Sequence, residues 1–156
     1  MQFKKILVPI DFSHFSKKAL EAAIELAERY SGKIYLLHVE EDIFHMSQIH
    51  KIHPPLENIC ARFHKDFVTE KKKSLETFKS YIPGKLFAGA VIKEGHPFVE
   101  IVRFAKNKCM DLIVISSHGR SGLRHVLLGS TVDRVSRNAE CPVLIVKHKK
   151  CKFLPL

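Results

Sequence analysis

Apolar residues gather into five short runs: KILVPI at 5–10, KIYLLHV at 33–39, LFAGAVI at 86–92, DLIVIS at 111–116 and PVLIV at 142–146. Most are nearly continuous rather than alternating, which is the pattern of strands covered on both faces. They predict a buried parallel sheet. Between the runs, apolar positions return every three or four residues. In 16–30, Ala19, Ala23, Leu26, Ala27 and Tyr30 share one stripe, and Gly32 stands where a helix would stop. In 97–109, Pro97 suits a first helical position, and Phe98, Ile101, Val102, Ala105 and Cys109 repeat at helical spacing. A longer helix is predicted over 56–82, with Leu56, Cys60, Phe63, Phe67, Leu75 and Phe78 inward. A short one is predicted over 131–138, capped by Ser130 and carrying Asp133 near its positive end. Strand and helix thus alternate through five strands and about four helices, the signature of a single doubly wound α/β domain, Rossmann-like in its layers.

One segment breaks the rhythm. Residues 42–55, DIFHMSQIHKIHPP, form a long connection carrying His45, His50 and His53 and ending in two prolines. Long connections in compact domains often serve as lids or partner contacts. The three histidines lack a carboxylate or cysteine in a supporting pattern, so no metal site is expected there.

A chain of 156 residues with 46% hydrophobic and 27% charged residues is long enough for one self-sufficient core and has the balance of a globular protein. No apolar run approaches the roughly 20 residues that span a bilayer, and the N-terminus lacks the pattern of a signal peptide, so a cytoplasmic location and no membrane partner are expected. The cysteines at 60, 109, 141 and 151 show no CxxC spacing, which points to idle thiols rather than a metal knuckle or redox pair. The formal net charge of +10 invites a phosphate-bearing partner. The basic residues are nevertheless dispersed, except at Lys71–Lys73 and in the tail KHKKCK at 147–152, and neither run carries interleaved aromatics. A specific nucleic-acid site is not expected.

Candidate chemistry concentrates at two strand ends. The first strand runs into PIDFS, where Asp11 places a carboxylate just past the sheet. The fourth runs into SSHGRSGLRHVLLGST at 116–131. Glycines allow a backbone to approach a ligand closely, and loop and helix N-terminal amides attract anions. Gly119, Gly129, Ser130 and Thr131 are therefore the parts of an anion cradle, although a glycine-bearing loop after a strand is equally a plain connection. Neither GxxxxGK[ST] nor a GxGxxG after the first strand is present, which removes the common NTPase and dinucleotide machineries.

Taken together, KKILVPIDFS (4–13), LLHV (36–39), EGHP (94–97) and the terminal stretch from Ser116 to Lys147, with HGRSG, LLGS and CPVL, resemble the universal stress protein family. The resemblance is weak over about 42–85. It implies strand order 3-2-1-4-5, a family domain over 1–147 with a variable loop at 42–55, and a basic tail at 148–156. The nucleotide-binding branch of that family carries G-x-x-G, nine residues, then G-[S/T]. Here that pattern falls on Ser116, Ser117, His118, Gly119, then Gly129 and Ser130, with Ser116 replacing the first glycine.

The resemblance implies binding of ATP or another adenine nucleotide, with Mg²⁺ an optional bridge between phosphates. Asp11 would hold the adenosine part, Pro9 and Ile10 would line the pocket, and Val39 would meet the adenine through its backbone. Ile115 and Ser116 would lie under the ribose and phosphates. The amides of Gly119, Ser130 and Thr131 would receive phosphate oxygens, with close approach at Gly129 and Arg120 reaching in from the loop. Three functions stay open: a regulatory or stress-response nucleotide-binding module, a slow ATP-hydrolysing enzyme drawing on His118, Arg120 and Arg124, and a dimeric interaction protein that has lost its ligand. In the first, His118 shapes the loop by hydrogen bonding and no residue is catalytic. The implied strand order leaves Pro142–Val146 at an apolar edge, so a homodimer through the last strand is expected.

Overall fold

The computed structural model describes residues 2–41, 57–119 and 128–147, with side chains of the helix over 57–80 described from Thr69 onward. Five strands, β1 (Lys5–Ile10), β2 (Lys33–Glu40), β3 (Phe87–Glu94), β4 (Leu112–Ser116) and β5 (Val143–Val146), alternate with four helices, α1 (His14–Tyr30), α2 (Glu57–Ser80), α3 (Pro97–Asn107) and α4 (Ser130–Asn138). The strands form one parallel sheet in the order β3-β2-β1-β4-β5, as the family resemblance implied. The loop at 42–55, Arg120, Arg124 and the tail at 148–156 lie outside the described residues.

Alternation along the strands divides the interior in two. Ile6, Val8, Ile34 and Leu36 face α1 and α2, where they meet Ala19, Leu20, Ala23, Leu75 and Phe78. Leu7, Leu37, Ile113 and Ile115 face α3 and α4 and pack on Ile101, Phe104, Val132 and Val135. Each large side chain fully buried in this way contributes about 1.5–3 kcal/mol relative to an exposed one. Continuous apolar runs are therefore required, since both faces of the sheet need covering.

Three helix ends differ from expectation. The left-handed residue that closes α1 is Ser31, at φ 50°, not Gly32. Gly32 serves close approach instead, because a Cβ there would collide with the backbone carbonyl of Phe3. Helix α3 stops at Asn107, leaving Cys109 exposed at φ 49° rather than on the inner stripe. Helix α4 begins at Ser130 itself, and its N-cap is Gly129, which has no side chain to cap it.

The sheet opens at its centre. Strand β1 pairs with β2 along its whole length, from Lys5 opposite Lys33 to Ile10 opposite His38, but with β4 only at Ile6 and Leu7. Backbone polar groups of a central strand alternate between its two neighbours. The Lys5 carbonyl accepts from Asp111 N at the approach to β4, so Leu7 and Pro9 are directed to the β4 side as well. Pro9 has no N–H to donate, and the ladder to β4 ends before it. The two strands part there, at the reversal of strand order where open α/β sheets hold their ligands.

Candidate functional site

One wall of the crevice is the turn that follows β1. Asp11 Oδ1 accepts from Ser13 N at 3.0 Å and from Ser13 Oγ at 2.6 Å, and Ser13 Oγ in turn accepts from Ser16 N at 3.2 Å as the N-cap of α1. The carboxylate is thereby locked to the start of the helix. Between them Phe12 is held at φ 64°, a left-handed conformation that costs a bulky residue on the order of 1–3 kcal/mol. Its ring lies against His38, centroids 4.3 Å apart, and against Phe78 at 5.6 Å, and this packing offsets the strain.

The opposite wall follows β4. Ser116 is buried and does not have positive φ, so serine fits its backbone without strain. Its Oγ donates to the His118 carbonyl at 2.8 Å. Ser117, buried as well, donates its N–H to the Val146 carbonyl at 3.0 Å and bonds through Oγ to His118 Nδ1 at 2.9 Å. His118 is thus built into the turn, with its ring 6.1 Å from that of Phe15. Gly129 N donates to the Ser117 carbonyl at 2.9 Å, bringing the far end of the loop back to the end of β4.

The two walls meet at Gly119, where an added Cβ would stand 3.0 Å from Asp11 Oδ2. The N-cap of α4 is Gly129, tied back to Ser117 and with no side chain of its own to offer the helix. By position, the Ser130 and Thr131 amides have no intrahelical acceptor, and the helix dipole makes that end attractive to anions. A carboxylate able to accept from hydroxyl groups therefore stands beside a set of donors able to hold an anion.

Asp11, Ser116, His118, Gly119 and Gly129 are joined by the contacts above, and Ser130 and Thr131 follow directly on α4. Pro9, Ile10 and Ile115 are buried at the ends of β1 and β4, and Val39 is half-buried near the end of β2. Among the described residues no group of three His, Cys, Asp or Glu side chains is set to hold a metal ion. No helix among them is long and apolar enough to cross a membrane.

Sequence reasoning missed Ser13 and Ser117, which brace the two walls, and a buried polar chain behind the Asp11 turn. His38 Nδ1 donates to the Ile10 carbonyl at 2.8 Å, its Nε2 lies 3.0 Å from Glu40 Oε2, and Lys71 Nζ of α2 lies 3.3 Å from the same oxygen. The side chains of His38, Glu40 and Lys71 are only 3%, 7% and 12% exposed. The signal was present in β2: Ile34, Leu36, His38 and Glu40 share one face, and the stripe turns from apolar to polar where the crevice begins.

Residues 2–51 and 65–147 match the universal stress protein family. The universal stress protein YxiE of Bacillus subtilis is 37% identical over 147 residues, which cover 93% of this chain and 99% of that one. The universal stress protein MJ0577 of Methanocaldococcus jannaschii is 30% identical over 158 residues. The solved structure of hypothetical protein MJ0577 superposes with a TM-score of 0.80 at 29% identity, covering 96% of this chain and 99% of that one. A family member from Arabidopsis thaliana, solved with AMP bound, shares the fold at a TM-score of 0.61 and 24% identity, covering 94% of this chain and 93% of that one. By this match over most of its length, the chain belongs to the universal stress protein family.

Proposed function

We propose that the protein binds an adenine nucleotide, ATP or AMP, in the crevice between β1 and β4 and serves as a regulatory or stress-response module. The observation that carries this is the approach of Gly119 to Asp11, together with the bond from Gly129 N, at the start of α4, to the carbonyl of Ser117 in the same turn. Asp11 would accept from the ribose hydroxyls. Pro9, Ile10 and Ile115 would wall the pocket, and Val39 would meet the adenine edge through its backbone. The amides of Gly119, Ser130 and Thr131 would take phosphate oxygens, Gly129 would allow their close approach, and Arg120 would add charge from the loop. Ser116 and His118 would shape the turn beneath the phosphates, a role supported by their mutual bond and by the tie of His118 to Ser117. That the Arabidopsis protein of the same fold was solved with AMP is a further support. Mg²⁺, where it takes part, would arrive on the phosphates of the nucleotide.

The same proposal includes a homodimer. Strand β5 is an edge of the sheet, and its Leu144 is 39% exposed. A groove of about 480 Å³ lies beside it, lined by Ala22, Leu26 and Leu144 and rimmed by the charged side chains of Glu25, Glu28 and Arg29. An apolar edge with open backbone groups favours pairing with a second copy.

Mass spectrometry of freshly purified, denatured protein is expected to reveal a co-purified adenine nucleotide, and titration calorimetry is expected to show binding of ATP or AMP. Absence of both at millimolar nucleotide would sink the proposal.

A further inference from the structure

The buried chain from Ile10 through His38 and Glu40 to Lys71 connects two parts of the molecule that share no strand pairing. Ile10 is the last residue of β1 and immediately precedes Asp11. Its carbonyl points to the β2 side, by the same alternation that turns Pro9 toward β4. There it is met by the His38 side chain at 2.8 Å. The other end of the chain is Lys71, on the half of α2 whose Leu75 and Phe78 pack into the core. A second contact runs in parallel: Phe12 lies against both His38 and Phe78, with Lys71 Nζ 5.7 Å from the centre of its ring. The strained turn that carries Asp11 is thus gripped from behind by groups anchored on α2.

We infer that His38, Glu40 and Lys71 act as positioning residues, a relay that fixes the Asp11 turn by tying the end of β1 to α2. The charges give the relay its stiffness. Glu40 is buried and has His38 on one side and Lys71 on the other, so removing the ammonium leaves the carboxylate with reduced compensation in a medium that tolerates little. The cheapest relaxation is rotation of Glu40 toward water, which releases His38, then the Ile10 carbonyl and Phe12. Resting on the nucleotide-binding proposal, the relay further implies that an occupied crevice and a docked α2 favour each other, because coupling between two sites is reciprocal.

The test uses the full chain, isotopically labelled, with Lys71→Met, which keeps the stem and removes the charge, Lys71→Arg as the rescuing variant, and Lys72→Met at the exposed neighbour as control. Lys71→Met is expected to shift the backbone amide signals of Asp11, Phe12 and Ser13 and to weaken ATP binding about tenfold. ATP should slow amide exchange over 69–80 in the parent chain but not in Lys71→Met. Lys71→Arg is expected to restore both effects, and Lys72→Met to alter neither. Should Lys71→Met not fold, Lys71→Met with Glu40→Gln removes both charges together and carries the same readouts. Unmoved signals at 11–13 in a folded variant overturn the relay without any nucleotide being added. If those signals move while the parent chain binds no ATP, the relay stands and the nucleotide proposal falls.

Discussion

Gly119 stands against Asp11 so closely that a Cβ on the glycine would lie 3.0 Å from Asp11 Oδ2. A methyl group there must displace the carboxylate, and a branched side chain must also occupy the crevice. Gly119→Val is expected to weaken ATP binding by on the order of 1–3 kcal/mol, roughly five- to 150-fold, with a smaller loss of stability through the Asp11–Ser13 bonds, because neither apolar core is touched. Calorimetry alongside thermal unfolding separates the two effects. Undiminished affinity would place the nucleotide elsewhere.

Ser116 offers the complementary case. Its hydroxyl is spent on the His118 carbonyl, so Ser116→Ala should lower stability by about 1 kcal/mol through the lost bond. Ser116→Gly should lower it further through added backbone freedom, by roughly another 0.5–1 kcal/mol. Both variants should fold, and Ser116→Gly is expected to bind ATP as tightly as the parent or more so. A marked loss of affinity would show that the serine contributes to binding, through a contact of its own or through the turn that it holds by the His118 carbonyl.

Leu144 is the exposed apolar side chain on the edge strand β5. Leu144→Asp puts a carboxylate in place of the apolar side chain that a pairing of two copies through that edge would cover, and covering an unpaired charge is costly. Light scattering after size exclusion should report a dimer for the parent and a monomer for the variant. A variant that stays dimeric would move the interface away from β5.

The two described thiols should differ in reactivity. Cys109 is exposed, whereas Cys141 is half-buried and its thiol is pushed up chiefly by burial, with the Asp111 and Glu140 carboxylates adding to the rise. A raised pKa means less thiolate near neutral pH, and the thiolate is the nucleophile. Iodoacetamide should therefore label Cys109 before Cys141. Labelling of Cys141 should climb as the pH passes above the ordinary thiol range. Peptide mass spectrometry over a pH series reads this directly, and equal rates near neutrality would contradict it.

The layers of the fold are legible in the sequence because strands covered on both faces need continuous apolar runs, and KILVPI and DLIVIS permit little else. Strand order depends on pairings between distant residues and was reached only through the family resemblance. The glycines at 119 and 129 and the carboxylate at 11 announced themselves at strand ends. Ser117 did not, since its work is done by a carbonyl and a hydroxyl that any serine possesses. His38 and Glu40 were hidden for a different reason: His38 lies inside the apolar run KIYLLHV and Glu40 just past it, and their partner Lys71 belongs to a lysine run that resembles a solvated face. Cys109 misled because helical spacing was continued onto the residue where the backbone turns left-handed, and Gly32 because that turn falls one residue earlier, on Ser31.

The missing donor at Pro9 has a consequence of its own. Any other amino acid at that position would offer β4 one more N–H, and the two central strands could zip past the point where they now diverge. The mouth of the molecule thus begins where the main chain itself has one donor fewer to give, so that its edge is marked by the backbone of a residue and not by its side chain.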